Sequence, residues 1–517
     1  MSGTRHSAPI YQRFQLAAEK YRNKLALVVG ENCLDYLELK ERVDALANGL
    51  AREGVRSGHH IGVVLPNCVE FVVTLLAGAR LGAVVVPQSM GLATLAMENT
   101  FRAADIRHLI AWSGCIDNLS AGTLELTESG IRLSVGPPRS GWLSLVETMK
   151  TGEKLPASTP QLPTELPFLM VLTSGSTGEP KPILLSQKTK ILRADAAAAL
   201  YGTTSDDVTL AATPLYHSLA QRLVLMPLMS GGTAILMEHF TPTSWIDTVR
   251  RHSVSFSIAV STQLKQILAT LEQSAGALPS LRCLVSSSAL LDEHTKGRLV
   301  SYLKCAFHEC YGASEIAIAT NLSPESAGIK LGSVGTAIPG TKVIILDGSG
   351  NAAPPNTIGE IACQTPMLFS GYYKKPDITA ASLWGDSYFK TGDLGRLDNE
   401  GFLYFLGRIK DIIITGGVNV YPKDIEDVVA SHPAVKECAA IPLLEDRLGE
   451  VVGVVVAFKD PANPPALREI QRLCMLRLGD FQQPHRFFIV SELPKNAMGK
   501  LDKPSLRRTY STIENEA

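Results

Sequence analysis

Thr173-Ser174-Gly175-Ser176-Thr177-Gly178-Glu179-Pro180-Lys181 concentrates hydroxyls, glycines and one lysine directly after the apolar run Phe168 to Leu172. The apolar run reads as a buried strand. The glycines and Pro180 predict that the strand ends there, because glycine is entropically costly in a strand and proline lacks a ladder donor. Backbone N–H groups freed by such a turn, with four hydroxyls and a lysine beside them, form a concave donor surface suited to a polyphosphate. A nucleoside triphosphate is the implied ligand. The spacing is not G-x-x-x-x-G-K-[ST], since Lys181 stands three residues after Gly178 and precedes Pro182, which disfavours an ordinary P-loop ATPase. Taken alone, the run reads first as a flexible Ser/Gly surface loop.

The elements that must position this loop follow from composition and periodicity. At 517 residues the chain exceeds one hydrophobic core, so two or more domains are expected. Hydrophobic residues at 45% and charged residues at 19% are those of a soluble globular protein. The formal net charge of −1 leaves no electrostatic footprint for nucleic acid or an anionic membrane. Met1 to Arg13 is polar, without the apolar core of a secretory signal. Phe71 to Val86, interrupted by Arg80 and two glycines, falls short of a bilayer span and reads as a core helix followed by a buried strand. Nine scattered cysteines without a C-x-x-C pair argue for reduced thiols and a cytoplasmic protein.

Asp35 and Glu38 are placed as N-cap and N3 of a helix whose apolar positions Leu39, Val43, Leu46, Ala47 and Leu50 recur at helical spacing. Strands are expected at Ile61 to Leu65 and Ala83 to Pro87, with a helix from Val69 to Leu81 between them. Apolar strands alternating with helices indicate βαβ units, hence an α/β fold with largely parallel sheets. Residues 115 to 166 read as an irregular connection. The alternation resumes with strands at Val208 to Ala212, Gly232 to Met237, Ser255 to Val260 and Leu281 to Ser286. After about residue 330 the pattern turns β-rich, with strands at Lys342 to Leu346, Gly359 to Cys363 and Phe402 to Phe405. Beyond Gly407 it becomes a small α+β unit of about a hundred residues, long enough to fold alone. The expected division is 1–408 and 409–517.

Six further segments join the opening loop in one order: Thr213-Pro214-Leu215-Tyr216-His217; Tyr311-Gly312-Ala313-Ser314-Glu315; Gly332-Ser333-Val334-Gly335 with Pro339-Gly340; Phe389-Lys390-Thr391-Gly392-Asp393; Gly407-Arg408-Ile409-Lys410-Asp411; and Leu493-Pro494-Lys495-Asn496-Ala497-Met498-Gly499-Lys500. With these motifs the chain, from about residue 20 to 510, resembles the acyl- and aryl-CoA synthetases of the adenylate-forming superfamily. The resemblance implies a large N-terminal adenylation domain, a mobile C-terminal domain and an active site in the cleft between them. The implied reaction joins a carboxylic acid to ATP, giving an acyl-adenylate and pyrophosphate, and then passes the acyl group to coenzyme A, giving AMP. A sister reaction that loads a carrier-protein phosphopantetheine, a non-catalytic nucleotide-binding paralogue and a luciferase-type oxygenase are the competing readings.

By the same resemblance Thr173, Ser174, Gly175, Ser176, Thr177, Gly178 and Lys181 would hold the β- and γ-phosphates. Glu315 would ligate Mg²⁺, with Ser314 near the α-phosphate and Tyr311, beside Gly312, on adenine. Asp393 would accept from the ribose hydroxyls and Arg408 would donate to the same sugar. Lys500 would reach between the substrate carboxylate and the α-phosphate, Lys410 would be the hinge, and Gly416 and Gly417 would line the pantetheine tunnel. His217 resembles the aromatic residue beside the substrate carboxylate; its alternative is a hydrogen-bonded core histidine. Tyr216 stands with it where amino-acid-selecting relatives place an aspartate, so an α-amino acid is not expected; an aryl or medium-sized acyl acid is. Gln221 and Arg222 would read a polar group on the acid or face solvent. Ser286, Ser287 and Ser288 stand where relatives carry glycines and would narrow or polarise the pocket floor. Pro182 and Gln187 depart from the pattern, replacing a glycine and a histidine. The implied partners are a small carboxylic acid, ATP and coenzyme A, without nucleic acid or an integral membrane segment, and a homodimer is left open.

Overall fold

The structure, a computed structural model, describes residues 8–152, 162–174, 180–274, 277–385, 387–445, 447–495 and 501–510. It has the expected mixed α/β fold, with a large sheet-containing N-terminal part and a smaller C-terminal one. Two compact units are formed: Met1–Val343 with Cys363–Phe389, and Ile344–Ala362 with Lys390–Ala517. The segment 344–362 and the strand residues from Lys390 therefore belong with the C-terminal part, ahead of the division expected at 408/409.

The larger unit holds a seven-stranded and a nine-stranded sheet. The seven-stranded sheet runs Leu143–Ser144, Arg132–Val135, His108–Trp112, His60–Val64, Val84–Pro87, Pro167–Ser174, Pro180–Ser186, parallel except for the last pair. Helix Tyr36–Arg52 begins where Asp35 and Glu38 predict. The Asp35 carboxylate accepts from the Glu38 N–H at 2.8 Å, and Glu38 Oε2 accepts from the Asp35 N–H at 3.1 Å. A cap of this kind contributes about 1 kcal/mol. Helix Val69–Leu81 buries Val69, Phe71, Val72, Val73, Leu75 and Leu76. At about 1.5–3 kcal/mol for each of these six side chains this is roughly 9–18 kcal/mol of gross burial, an upper bound against an extended chain. Gly78 lets the helix meet the sheet, because a Cβ there would lie 2.5 Å from Val85 Cγ2.

Two expectations are corrected. The strand does not stop at Leu172: it continues to Ser174, and its hairpin partner starts at Pro180, with Thr173 opposite Lys181 and Ser174 opposite Pro180. Pro180 and Pro182 are tolerated because this partner is the edge strand, where a missing ladder donor leaves no neighbour unpaired. The described part of residues 115 to 166 is more regular than a connection, for Arg132–Val135 and Leu143–Ser144 build the other edge of the sheet and Ala121–Leu126 and Leu145–Lys150 are helical. Elements of two to six residues carry too few periods to be recognised from pattern.

The nine-stranded sheet runs Thr336–Ala337, Ala317–Leu322, Ala306–Ala313, Cys283–Ser287, Phe256–Val260, Val208–Ala211, Thr233–Leu236, Leu25–Val29, Asn32–Asp35. Its middle is parallel and both margins are antiparallel, as in the junction of Ala306–Ala313 with Ala317–Leu322.

In the smaller unit, Val418–Val420, Ile413–Thr415, Gly449–Phe458 and Val435–Glu445 form a sheet to which Arg486–Val490 adds in parallel beside Gly449–Phe458. Alternation along Gly449–Phe458 feeds two apolar clusters, one with Val452, Val454 and Val456 and one with Val451, Val455 and Ala457. Among the described residues no helix is long and apolar enough to cross a membrane.

Candidate active site

In the larger unit the first candidate groups converge on Tyr372, a residue the sequence reading did not single out. Its hydroxyl donates to Glu315 Oε1 at 2.9 Å, and the Lys181 ammonium lies 5.9 Å from its ring centroid. Burial and the Glu315 carboxylate push the Tyr372 phenol well above its usual range, so it stays a donor at neutral pH. The segment carrying it is laced to both neighbours. Gly371 O and Pro182 O accept from the Leu184 and Tyr373 N–H groups, and Phe369 N–H donates to Glu315 O at 2.7 Å.

Glu315 is held by its backbone as well. Arg193, from helix Gln187–Tyr201, donates to Ser314 O at 2.9 Å, Glu315 O at 2.8 Å and Met367 O at 2.9 Å. Burial and the neighbouring Arg222 cation lower the Arg193 pKa from its usual value. A charged donor spread over three carbonyls fixes the loop without competing for the Glu315 carboxylate. Gly312 serves the same loop differently: a Cβ there would lie 1.7 Å from the Ala317 carbonyl oxygen, at a register shift between Tyr311 and Gly312. Tyr311 is buried, Ser314 and Glu315 half-buried.

Thr213 to His217 is pinned by Asn67, which donates to Thr213 O and Met237 O at 3.2 and 2.7 Å and accepts from the Leu215 N–H at 2.8 Å. His217 is the half-buried N-cap residue of helix Ser218–Ser230, and its ring lies 4.2 Å from that of Tyr216. The solvent-facing alternative for Gln221 and Arg222 does not hold, since both are buried. Gln221 is committed to the protein, donating to Leu215 O at 2.9 Å and accepting from Lys190 Nζ at 3.1 Å. Burial, with the Arg193 and Arg222 charges, holds the Lys190 pKa well below the usual amine range.

The three serines do not act as one floor. Ser286 is fully buried opposite Glu309, and its Oγ has no hydrogen-bond partner among the described residues. Strand alternation turns Ser287 to the other face. Ser288, exposed, has φ +75°, a left-handed conformation that a glycine would adopt freely. Gln187 replaces the expected histidine as a buried strut, accepting from Ile10 N–H at 2.9 Å and donating to Ala79 O at 3.1 Å.

In the smaller unit Asp393 and Arg408 face each other across an antiparallel pair, with Arg408 Nε 3.4 Å from Asp393 Oδ1. Asp393 is buried and the Arg408 side chain is 54% exposed, so the carboxylate is fixed and the cation is free to adjust. Thr391 Oγ1 shapes the turn, donating to Ile361 O at 2.8 Å and accepting from the Asp393 N–H at 3.2 Å. Lys410 lies in the short 3-10 turn Ile409–Asp411. Its carbonyl accepts from Arg507 at 2.8 Å, and Arg507 also pairs with Asp411 at 3.1 Å. Gly416 and Gly417 are exposed at φ +56° and +84° in the turn between Ile413–Thr415 and Val418–Val420.

Gly175, Ser176, Thr177, Gly178 and Lys500 lie outside the described residues, and of Thr173 and Ser174 only the backbone pairing is described. Arg193 and Lys190 had a readable signal, charges on an otherwise apolar helix stripe with Ala194, Ala197 and Tyr201; Asn67 and Tyr372 had none that sequence alone separates from ordinary loop residues.

Two parallel-centred sheets carry Glu315 and Lys181 to one tyrosine beside the paired strand ends Ser174 and Pro180, and the comparisons identify the family. The family model described as AMP-binding enzyme matches residues 14–373, and that of the AMP-binding enzyme C-terminal domain matches residues 424–500. An indoleacetate–CoA ligase of Aromatoleum aromaticum is 30% identical over 488 residues, 94% of this chain and 95% of its own length. A feruloyl-CoA synthase of an Amycolatopsis species is 31% identical over 489 residues, 93% and 95% of the two chains. The crystal structure of ATP-bound MatB from Rhodopseudomonas palustris superposes with a TM-score of 0.89 at 27% identity, covering 98% of this chain and all of that one. The chain belongs to the AMP-binding enzymes, the adenylate-forming superfamily of acyl- and aryl-CoA synthetases. Its reaction class is the ATP-dependent, AMP-forming ligation of a carboxylic acid to coenzyme A.

Proposed function

We propose that the acid is an aryl or medium-sized acyl carboxylic acid, adenylated by the hairpin loop Thr173–Lys181 with Glu315, His217 and Lys500, and then transferred to coenzyme A past Gly416 and Gly417. The observation that supports this most is the joining of Lys181 and Glu315 through Tyr372, where the strand ending at Ser174 pairs with the one starting at Pro180. The indoleacetate and feruloyl ligases, which act on aryl-bearing acids, favour that substrate class.

In the first half-reaction a carboxylate oxygen bonds to the α-phosphorus as the bond from that phosphorus to the pyrophosphate oxygen breaks. Both partners are anions, so the chain must offset charge. Lys181 and the hairpin N–H groups would take the β- and γ-phosphates, and Lys500 would sit between carboxylate and α-phosphate. Glu315 fits Mg²⁺, which is commonly held by one or two carboxylates plus substrate phosphates: Tyr372 occupies only one of its oxygens. Bound there, Mg²⁺ would supply charge neutralisation at the phosphates. Asp393 and Arg408 would orient the ribose, and Tyr311 the adenine. In the second half-reaction the thiol sulfur bonds to the acyl carbon, AMP leaves with the carboxyl-derived oxygen, and the thiol proton passes to solvent. Lys410 would be the hinge between the two poses, separating 1–408 from 409–517.

All nine cysteines are free thiols, which supports a cytoplasmic setting. Loading of a carrier protein is not favoured, because the curated relatives named above are CoA ligases. Pyrophosphate release over a panel of aryl and acyl acids, each with and without coenzyme A, tests the reading. Acid-dependent release with thioester formed only when coenzyme A is present is expected; turnover of α-amino acids alone would refute it. Sedimentation of the same preparation distinguishes monomer from homodimer.

A further inference from the structure

Strand Leu403–Arg408 and strand Ile413–Thr415 belong to different sheets, and the chain between them is only Ile409 to Ile412. Both ends of this link are fixed. Arg408 stands opposite Asp393 in an antiparallel pair, and Ile413 is fully buried in an apolar cluster of the C-terminal sheet. Peptide planes do not twist, so any turning across the link is taken up by its φ and ψ angles. Arg507 holds one of those planes. Its Nη1 donates to Lys410 O at 2.8 Å, and its Nη2 lies 3.1 Å from Asp411 Oδ1. The Lys410 carbonyl and the Asp411 N–H share one plane, so a grip on that oxygen and on the Asp411 carboxylate fixes the plane and Asp411 together. With side chains 26% and 16% exposed, the charged pair is partly shielded from water and stronger than a fully solvated one. The helix that supplies the grip, Lys503–Tyr510, is itself seated on the C-terminal sheet. Leu506 is buried with Val451, Val455 and Ala457, the Tyr510 ring lies 4.4 Å from that of Phe488, and Lys503 pairs with Glu426 at 2.6 Å. Leu501 packs into the same cluster and bridges to Lys495, so both ends of the segment that contains Lys500 are anchored in this body.

We propose that Arg507 is a positioning residue: it fastens the Lys410–Asp411 peptide to the body that carries Lys500, and so confines the turning between the two half-reactions to the φ and ψ of Lys410. This rests on the reading of Lys410 as the hinge and deepens it. Without the clamp, Asp411 and Ile412 join in the turning, because the bond from Ile412 N–H to Ile409 O, at 3.3 Å, is a long one. A hinge of one residue brings Lys500 to one place in each pose. A link with several free dihedrals spreads that place, and misplacement of a reacting group by about 1 Å costs rate steeply.

A suppressor experiment tests this, with thioester formation read in single turnover from supplied benzoyl-adenylate or hexanoyl-adenylate and coenzyme A. Lys410→Pro, whose ring fixes φ at about −65°, should slow the transfer. Adding Arg507→Met to Lys410→Pro should speed it again by about tenfold, the worth of one charged hydrogen bond, because the turning passes to Asp411 and Ile412. A side chain that only stabilised the fold would make the double variant slower than either single one. Asp411→Asn loses the ion pair but keeps the carbonyl bond; it should rescue Lys410→Pro in part, and it takes the place of Arg507→Met if that variant does not fold. Trypsin supplies a readout that needs no substrate. It must draw the Lys410–Asp411 bond out of the turn to cut it, so Arg507→Met should be cut after Lys410 about tenfold faster than the wild type, with the other sites cut at equal rates. A double variant no faster than Lys410→Pro overturns the clamp and leaves the hinge standing. Normal transfer by Lys410→Pro alone overturns the hinge reading, and the clamp with it. If the wild type turns over neither adenylate, an unchanged rate of cutting after Lys410 overturns the clamp and a faster one upholds it.

Discussion

Replacing Tyr372 by Phe isolates one hydroxyl. The ring under Lys181 stays, so the 5.9 Å cation–ring contact is kept, while the 2.9 Å hydrogen bond to Glu315 Oε1 is lost. A hydrogen bond to a charged acceptor is worth about 1.5–3 kcal/mol, and a half-buried pair belongs at the lower end, about 1.5–2 kcal/mol. At 1.36 kcal/mol per decade this is about a 10- to 30-fold fall in kcat/KM for acid-dependent pyrophosphate release, seen mainly as a weaker requirement met at higher Mg·ATP. Folding should change little, since the Glu315 backbone is still held by Arg193 and by Phe369. The assay is initial-rate pyrophosphate release with Mg·ATP varied at saturating acid, alongside urea unfolding of both proteins. An unchanged kcat/KM, or a loss matched by an equal loss of folding stability, would refute the idea that Tyr372 acts by orienting Glu315.

Lys500→Ala should stop adenylation while sparing thioester formation from a supplied acyl-adenylate, and Lys410→Pro should do the reverse; single-turnover assays of the two half-reactions read both. Ser288→Gly removes a left-handed non-glycine residue, relieving about 1–2 kcal/mol against a glycine entropy cost of about 0.5–1 kcal/mol, so unfolding should shift by about 0.5–1 kcal/mol toward greater stability. His108 stacks on His59, and its Nδ1 accepts from the Ile131 N–H at 3.2 Å; burial, followed by the His59 and Arg107 charges, lowers its pKa to about 4. A depressed folded-state value means the unfolded chain takes up the proton first, so stability is lost as pH falls from about 6.5 toward 4, by about 1–2 kcal/mol once solvent screening is discounted. Urea unfolding at pH 7.5 and 5, with a flatter profile in His108→Gln, checks it.

Much of the fold was legible because it rests on local periodicity. Helix Val69–Leu81 and the strand Lys342–Leu346 fall where the apolar pattern puts them, and the Asp35–Glu38 capping box forms as the two residue types require. The α/β class followed from alternation alone. The edge of the seven-stranded sheet was not legible, nor was the run of Pro180 and Pro182 within a strand: whether proline breaks a strand depends on whether a neighbour needs its missing N–H, and strand order is a tertiary fact.

The candidate site divides in the same way. The order of the motifs along the chain was enough to place it among the adenylating enzymes, and the roles proposed for the Ser/Gly loop, Glu315, Asp393 and Lys500 come from that resemblance. Which groups meet was decided only by the fold. Tyr372 and Arg193 lie 57 and 122 residues from Glu315 yet grip it from two sides, and the burial of Arg222 removes the solvent-facing alternative that the sequence left open. Chemistry is carried by residue identity and can be read along the chain; partnership and desolvation depend on distances across it, and those exist only once the chain has folded.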